Sequence, residues 1–568
     1  MRIIYLFLLL SWPGLFWAQK ISPIINMEQE SLIDCFLLLE QQASFPNLPK
    51  KGKAAKGTYV FAQLQKAAST QKPILAELDR LALQYQSFFL VNAIRVWAKA
   101  SDLETLAQRA DIARILPNPN MQASFPVAQG NKSYSNWGIE QIRAQLLWAL
   151  GFKGAGVVVA GQDTGYDWEH PAINRQYRGT AQGDHNYNWH DAIHESNPLN
   201  SDSDNPCGFD ASAPCDDHSH GTHTVGTMTG LAPNEEIGLA PEAQWIGCRN
   251  MDRGWGSPAS YLECFEWFLA PSNLNGQDAD PSKAPDVINN SWGCPPVEGC
   301  HPDNFALLRQ AVINLKAAGI MVVVSAGNEG PSCGSIQTPA AIFGESFVVA
   351  ASNADDQVAG FSSRGPALTP TEGRPKPDIS APGVSIRSSV LNEGYSSSSG
   401  TSMAGPHVAG AVALLLSAAP ELKGDVERIE EILRQSALPL PGENCGGLTE
   451  DAHPNFTAGW GRLDIWRALA LVRPNLVYPI MEDNAYKLSI LPNPSQGKII
   501  VLLPNSYDEV EYRLFNLLGQ EVAQGNAPLL GRSLPLDFSK IPQGSYLLNI
   551  WPKGRKSEQF SAKLILQH

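Results

Sequence analysis

Charge is scarce in this sequence. Only 17% of its 568 residues are Asp, Glu, Lys or Arg, against ~25% in an average soluble domain. Basic excess is missing altogether, because the net charge is −14. That excludes a polyanion such as nucleic acid as the principal partner. Long apolar runs are missing too. The longest, Ile3 to Leu10, falls short of the ~20 residues that a membrane span needs, and no later stretch is expected to span. No heptad pattern and no internal repeat is present. Residues 487–568 hold no cysteine, and their sole histidine is His568, so that stretch offers little chemistry of its own.

What is present points to export and to several domains. The length suggests three or more folded units. Arg2, the apolar run, the break at Pro13-Gly14 and Ala18 read as a secretory signal over residues 1–18. Of nine cysteines, eight lie between Cys207 and Cys445, which suits disulfides in an oxidising compartment. Cys207 with Cys215 and Cys294 with Cys300 are the nearest pairs, leaving Cys248 with Cys264 and Cys333 with Cys445. Charge is uneven: +1 over residues 1–18, +3 over 19–118, −21 over 119–486 and +3 over 487–568. An acidic centre between basic flanks suggests docking of a flank on the centre.

Residues 19–56 show no clear period and end in a lysine-rich run. From there Thr58–Leu64 reads as a strand, Lys72–Tyr85 as a helix, Phe88–Trp97 as a strand, and Ser101–Glu104 as a capping box opening a helix. Ile112–Leu116 closes a small α+β module over about 57–118, and a linker runs to 135. Residues 136–473 alternate apolar strands (Val157–Ala160, Trp245–Cys248, Val287–Asn290, Met321–Ser325, Phe347–Ala351) with helices such as Phe305–Ala318. This is an α/β pattern with a mostly parallel sheet covered by helices on both faces. Residues 474–486 read as a linker. Residues 487–568 carry short alternating runs (Ile499–Leu503, Glu511–Phe515, Tyr546–Ile550, Ala562–Leu566) that predict a β-sandwich tail.

Three corners of the large domain carry chemistry. Val158–Ala160 delivers Asp163 to a strand's carboxyl end, where open α/β sheets place their sites. Ser219-His220-Gly221-Thr222-His223 opens a helix, and a helix N-terminus favours the neutral imidazole that a general base needs. His220 and His223 share a helix face, but no HExxH or paired CxxC completes a zinc set. Ser398-Ser399-Gly400-Thr401-Ser402 opens an apolar helix, with room beside Ser402 for a substrate backbone and a dipole suited to an oxyanion.

An Asp, a His and a Ser on glycine-rich corners, in that chain order, match one known solution to acyl transfer. With these motifs, residues 136–473 resemble the subtilisin-like serine peptidases, or subtilases. Trp137-Gly138-Ile139 and Asp286–Gly293 are similar to their bacillopeptidase F-like branch. The resemblance implies Ser402 as nucleophile, His220 as general base and Asp163 as its orienting partner. Ser325–Gly330 looks like the family's oxyanion block, which implies Asn328 as oxyanion donor. Ser291, Trp292, Gly293, Ala326 and Gly327 resemble the segments that line the primary specificity pocket, and Glu329 at its rim would suit basic side chains. No cofactor is required for this chemistry. Structural calcium is common in the family, and Asp202, Asp204 and Asp210, with Asp216 and Asp217, are candidate ligands.

The small N-terminal module resembles the family's propeptide, which implies a self-inhibited precursor cut between Asn120 and Asn136. The tail resembles the C-terminal sorting domain of type IX secretion substrates, through Leu491–Gly497, Gly519–Val522, Gln543–Tyr546 and Lys563–Ile565. The expected protein is a secreted serine endopeptidase of a Gram-negative cell, released or held at the surface. Its partners would be protein and peptide substrates, its own propeptide and the secretion machinery, with no nucleic acid and no membrane span in the mature chain. A catalytically idle surface binding protein on the same fold is the alternative.

Overall fold

A computed structural model describes residues 20–567, apart from 123–126, 129–136, 181–182, 198–199, 201–204, 233–234, 292, 294–301, 368–373, 450, 475–487, 504–506, 530–532 and 556–557. The expected signal at 1–18, the linker at 474–486 but for its first residue, and the Cys294–Cys300 pair lie outside the described residues.

The N-terminal module is an antiparallel four-stranded sheet with helices. Its elements are β1 (Ile33–Leu39), α1 (Lys53–Ala68), α2 (Lys72–Arg80), β2 (Gln84–Phe88), β3 (Ala93–Ala98), α3 (Ala100–Ala107) and β4 (Ile112–Pro117), in sheet order β2-β3-β1-β4. The helix expected over Lys72–Tyr85 stops at Arg80, with Tyr85 already in β2. Thr58–Leu64 is helical within α1, because Val60, Leu64 and Ala67 bury one helical stripe and that packing overrides β propensity. The module begins well before residue 57. Its central strand β1 is covered on both faces, so it shows an apolar run rather than alternation. Phe88–Trp97 is a hairpin of two strands, β2 and β3, rather than one strand. The capping box sits two residues earlier than expected, with Asp102 reaching back to the Lys99 N–H at the start of α3.

The chain next forms two short strands, β5 (Met121–Gln122) and β6 (Val127–Ala128), inside the expected linker. The large domain follows with β7 (Val158–Asp163), β8 (Trp189–Asp191), α4 (His220–Thr229), β9 (Gln244–Arg249), β10 (Trp255–Gly256), α5 (Pro258–Leu269), β11 (Val287–Asn290), α6 (Pro302–Ala317), β12 (Met321–Ser325), β13 (Phe347–Ser352), β14 (Ile379–Pro382), β15 (Ile386–Val390), β16 (Gly394–Ser399) and α7 (Thr401–Ala418). Seven strands form one parallel sheet in the order β14-β13-β12-β11-β7-β9-β8. The five expected strands are all in it. Its two faces feed two apolar cores, one around α4 and α7 and one around α5 and α6. Helix α7 is long and apolar enough to cross a membrane by length and composition, which the sequence reading did not anticipate. It is 94% buried and runs through the core.

Disulfides join Cys207 to Cys215, Cys248 to Cys264 and Cys333 to Cys445, as expected, and Cys35 is a buried free thiol in the module core.

The tail is a sandwich of two antiparallel sheets. One has β17 (Ser489–Leu491), β18 (Lys498–Leu502) and β21 (Ser533–Asp537); the other has β19 (Glu509–Asn516), β20 (Glu521–Pro528), β22 (Gly544–Pro552) and β23 (Phe560–Leu566) in the order β20-β19-β22-β23. Its apolar core is its own, around Val501, Leu514, Leu548 and Leu564.

Candidate active site

Three secondary-structure ends converge at the carboxyl edge of the parallel sheet. Asp163 is the last residue of β7, His220 the first of α4, and Ser402 lies in the first turn of α7. All three are buried, Asp163 to 1% exposure, His220 to 5% and Ser402 to 3%. His220 Nδ1 donates to Asp163 Oδ1 over 2.7 Å, and the Thr164 N–H donates to the same oxygen over 2.8 Å. This fixes the tautomer that leaves Nε2 on the opposite edge of the ring as the base. Ser402 Oγ donates to the Ser291 carbonyl over 3.2 Å, while Ser291 Oγ donates to the Ser402 carbonyl over 3.1 Å.

The close approach of α4 to β7 requires glycine. A Cβ on Gly221 would fall 1.9 Å from the Gly165 carbonyl, and Gly221 N–H donates to Thr164 Oγ1 over 3.1 Å. Asp216 clamps the same corner. It accepts from Thr164 Oγ1 (2.8 Å), the His218 N–H (2.9 Å), the Ser219 N–H (3.0 Å), the Thr222 N–H (3.0 Å) and Thr222 Oγ1 (2.6 Å). One carboxylate thus ties the strand end that carries Asp163 to the helix start that carries His220. The sequence reading offered Asp216 as a calcium ligand, since an acidic run looks the same whether it binds a metal or N–H groups.

His223 stands apart from the pair. Its Nε2 donates to the Ile386 carbonyl over 3.0 Å, and burial pushes its pKa down to about 4. It is a neutral core histidine, and the zinc reading of His220 with His223 gains nothing from it.

Asn328 is turned by its neighbours. Its Oδ1 accepts from the Thr401 N–H (2.9 Å) and Thr401 Oγ1 (3.0 Å), which leaves Nδ2 as the amide's donor end. Gly327, at φ 101, donates to Thr401 Oγ1 over 3.3 Å. Ala326 is fully buried and donates to the Val349 carbonyl over 3.0 Å. Ser291 is buried at 3% and supports Ser402 from behind. Gly293 abuts Thr338, while Trp292 lies outside the described residues. Glu329 is exposed and held by Ser363, whose Oγ donates to Oε2 over 2.8 Å. It lines a pocket of about 230 Å³ with Ser332, Cys333, Gly334, Ser335, Gln337 and Thr338. The positioning roles of Thr401, Asp216 and Ser363 are not visible to sequence reasoning; only Thr401, adjacent to Ser402, carries a positional hint.

The described carboxylates of the acidic insertion do not fit a calcium site. Asp210 pairs with His194 Nδ1 at 2.5 Å, Asp216 is consumed as above, and Asp217 pairs with the buried Arg249 at 2.7 Å. Burial pushes Asp217 up to about 7 even against Arg249. Among the described residues no group of three His, Cys, Asp or Glu side chains could hold a metal ion. Asp202 and Asp204 lie outside the described residues.

Two short stretches ahead of the catalytic domain pair with strands of that domain. β5 pairs antiparallel with β10 (Gln122 with Trp255, Met121 with Gly256). β10 follows closely on Asn250, whose N–H donates to the Asp163 carbonyl over 3.0 Å. β6 pairs antiparallel with β16 (Val127 with Ser399, Ala128 with Ser398), just ahead of Ser402. Upstream, the module docks on α5 and the sheet edge. Glu266 accepts the Phe89 and Leu90 N–H groups over 2.5 and 2.7 Å, Gln86 donates to Glu263 over 2.6 Å, and Lys53 pairs with Asp286 at 2.9 Å.

Known families account for most of this architecture. Residues 154–461 match the subtilase family, and residues 489–567 match a secretion system C-terminal sorting domain. The chain is similar to bacillopeptidase F of Bacillus subtilis (strain 168), 36% identical over 462 residues, which is 75% of this chain and 30% of that protein. It is also similar to subtilisin E of the same organism, 35% identical over 290 residues, 50% of this chain and 61% of that protein. Serine protease AprX of the same organism is 36% identical over 245 residues, 39% of this chain and 53% of that protein. The chain thus spans less than two thirds of the length of each of these relatives. With the parallel sheet, the Asp163–His220 pair, the Ser402 helix start and the matched residues in one domain, the chain belongs to the subtilase family.

Proposed function

We propose that this protein is a secreted serine endopeptidase made as a self-inhibited precursor. Ser402 attacks the scissile carbonyl, His220 takes its proton and returns it to the leaving amine, and Asp163 stabilises the imidazolium. The Ser402 N–H and Asn328 Nδ2 receive the tetrahedral oxyanion. No metal or organic group is needed for these steps. The observation that carries the reading is the buried Asp163–His220 hydrogen bond at the same sheet edge as a serine in the first turn of a helix, with Asn328 turned by Thr401.

Peptide substrates add as a strand along β10 and beside Ser291–Gly293 and Ala326–Gly327. The single carboxylate of Glu329 in its pocket suits a basic side chain there. The pairing of β5 and β6 on either side of the triad supports an N-terminal module that inhibits by occupying the cleft. On this reading the bond cut on maturation lies between Gln122 and Val127. The sorting tail supports passage through a type IX system and the outer membrane of a Gram-negative cell.

A fluorophosphonate should label the matured protein at Ser402 and abolish peptide hydrolysis; intact-mass and peptide mapping read this, and activity persisting without label rejects the mechanism. Asn328→Ala should lower kcat on the order of 10²–10³-fold, as loss of the equivalent donor does in subtilisin, with KM little changed. An unchanged kcat would remove Asn328 from the oxyanion site.

A further inference from the structure

The tail ends one of its sheets in bare leucine. Leu517 and Leu518 are 81% and 84% exposed, more than any other large apolar side chain among the described residues. They sit in the turn between β19 and β20, and that turn is firmly built. Asn516 Oδ1 accepts the Leu518 and Gln520 N–H groups, both over 3.0 Å, and Asn516 Nδ2 donates to Gln520 Oε1 over 2.9 Å. The Asn516 N–H donates to the Gln520 carbonyl over 2.9 Å, and the Gly519 N–H to the Asn516 carbonyl over 3.0 Å. Turns normally place polar residues at such a tip. These two leucines fill no core, so folding does not require them.

They are not isolated. Among the described residues, the tail's other exposed large apolar side chains are Val522 and Leu547. Leu547 pairs across the sheet with Phe515, and Val522 follows Glu521, which pairs with Phe515 on the other side. All four therefore gather at one end of one sheet. The tail's packing on the catalytic domain uses the other sheet, through Ile500 and Leu502 of β18. The apolar end is left open to solvent on a segment whose family match is an export signal. Clustered exposed apolar side chains of this kind mark contact sites.

We propose that the Leu517–Leu518 tip, flanked by Val522 and Leu547, is the part of the tail that enters an apolar groove of the export apparatus. This rests on the sorting-domain reading above. The turn presents the two side chains rigidly, so little ordering is required on binding. Recognition is apolar and local to the tip, while the catalytic domain stays folded and remote from it.

The test measures export of the full-length chain in a Gram-negative host that carries a type IX system. Leu517→Asp/Leu518→Asp and Leu517→Ser/Leu518→Ser are compared with wild type and with a chain lacking residues 489–568. Extracellular protein should fall at least tenfold for both double variants, with the precursor accumulating in the cell. Their purified forms should melt with wild type and hydrolyse peptide at its rate. If the tail-less chain is retained and a stably folded double variant is exported at wild-type level, the proposal is overturned while the sorting reading stands. If the tail-less chain is exported too, the sorting reading falls and takes the proposal with it. Should the aspartates lower the melting point, the serine pair decides. Sedimentation adds one further outcome: a wild-type dimer that dissociates in the double variants while export is unchanged assigns the tip to self-association instead.

Discussion

The N-terminal module and the C-terminal tail carry the same net charge, +3, on either side of a domain at −21, yet they treat it differently. Some of the module's cations reach across the interface, Lys53 to Asp286, Arg95 to Glu195 at 3.5 Å and Arg114 to Asp303 at 3.1 Å, while Arg80 and Arg109 pair within the module. Its apolar residues Phe36, Val60, Phe88 and Leu90 join one core with Phe265, Phe268 and Leu308 of the large domain. The tail's cations instead pair within the tail, Lys553 with Glu509 and Arg513 with Glu521. Its main core is separate, with Ile500 and Leu502 of β18 reaching the large domain's. Net charge alone therefore does not say which flank docks; the placement of individual side chains does. One flank shares a core and ion pairs with the large domain, and the other keeps a core and ion pairs of its own.

Removing each flank should separate them most sharply. A chain without residues 20–118 loses a shared core in which each buried large side chain stabilises by about 1.5–3 kcal/mol. Its yield of folded protein should collapse, read by soluble expression and circular dichroism. A chain ending at residue 474 should keep its peptide hydrolysis rate and nearly its melting point. Equal losses from both deletions would erase the distinction drawn here.

A smaller effect sharpens it. Glu266→Ala removes the acceptor of two buried N–H groups, each costing about 1–3 kcal/mol when left unpaired, so inhibition by the module added in trans should weaken at least about tenfold. No change in inhibition would place the docking energy elsewhere. The same contact should respond to pH. Burial pushes Glu266 up to about 8, reinforced by Glu263 and offset by the Leu90 and Phe89 N–H groups. A carboxyl raised on folding binds its proton more tightly in the folded precursor, so stability falls as pH rises from its ordinary value near 4.5 through about 8. His194, raised to about 10 by its hydrogen bond with Glu263, contributes fully below about 6.5 and is lost as pH rises through about 10, in the same sense. Lys53, lowered by burial, works the other way as its cation is relieved. The melting point of Ser402→Ala precursor should drop between pH 6 and 9, and Glu266→Gln should flatten the drop.

The catalytic domain was legible because its chemistry sits on glycine-rich corners that sequence displays directly. Asp163, His220, Ser402 and Asn328 each occupy such a corner, and the parallel strands read as apolar runs. The module was harder. α1 carries a β-prone stretch, Thr58-Tyr59-Val60-Phe61, within otherwise helix-forming residues, and burial of Val60 and Leu64 against the large domain supports the helix through it. β1 is covered on both faces and so carries no alternation. β5, β6 and β10 are two-residue strands held by pairings distant in sequence, which no local pattern encodes. Asp216 shows the same limit. Its five hydrogen bonds come from residues at 164 and 218–222, and an acidic run does not reveal its acceptor role.

On the proposed reading the triad cuts its own chain between β5 and β6. The most direct test of that reading is the intact mass and N-terminal sequence of the precursor beginning at residue 19, beside Ser402→Ala. The wild type should shed the module and begin at a residue from 123 to 127, while Ser402→Ala stays whole. Cleavage of both forms at the same bond, or of neither with no peptide hydrolysis after the module is removed, would contradict it.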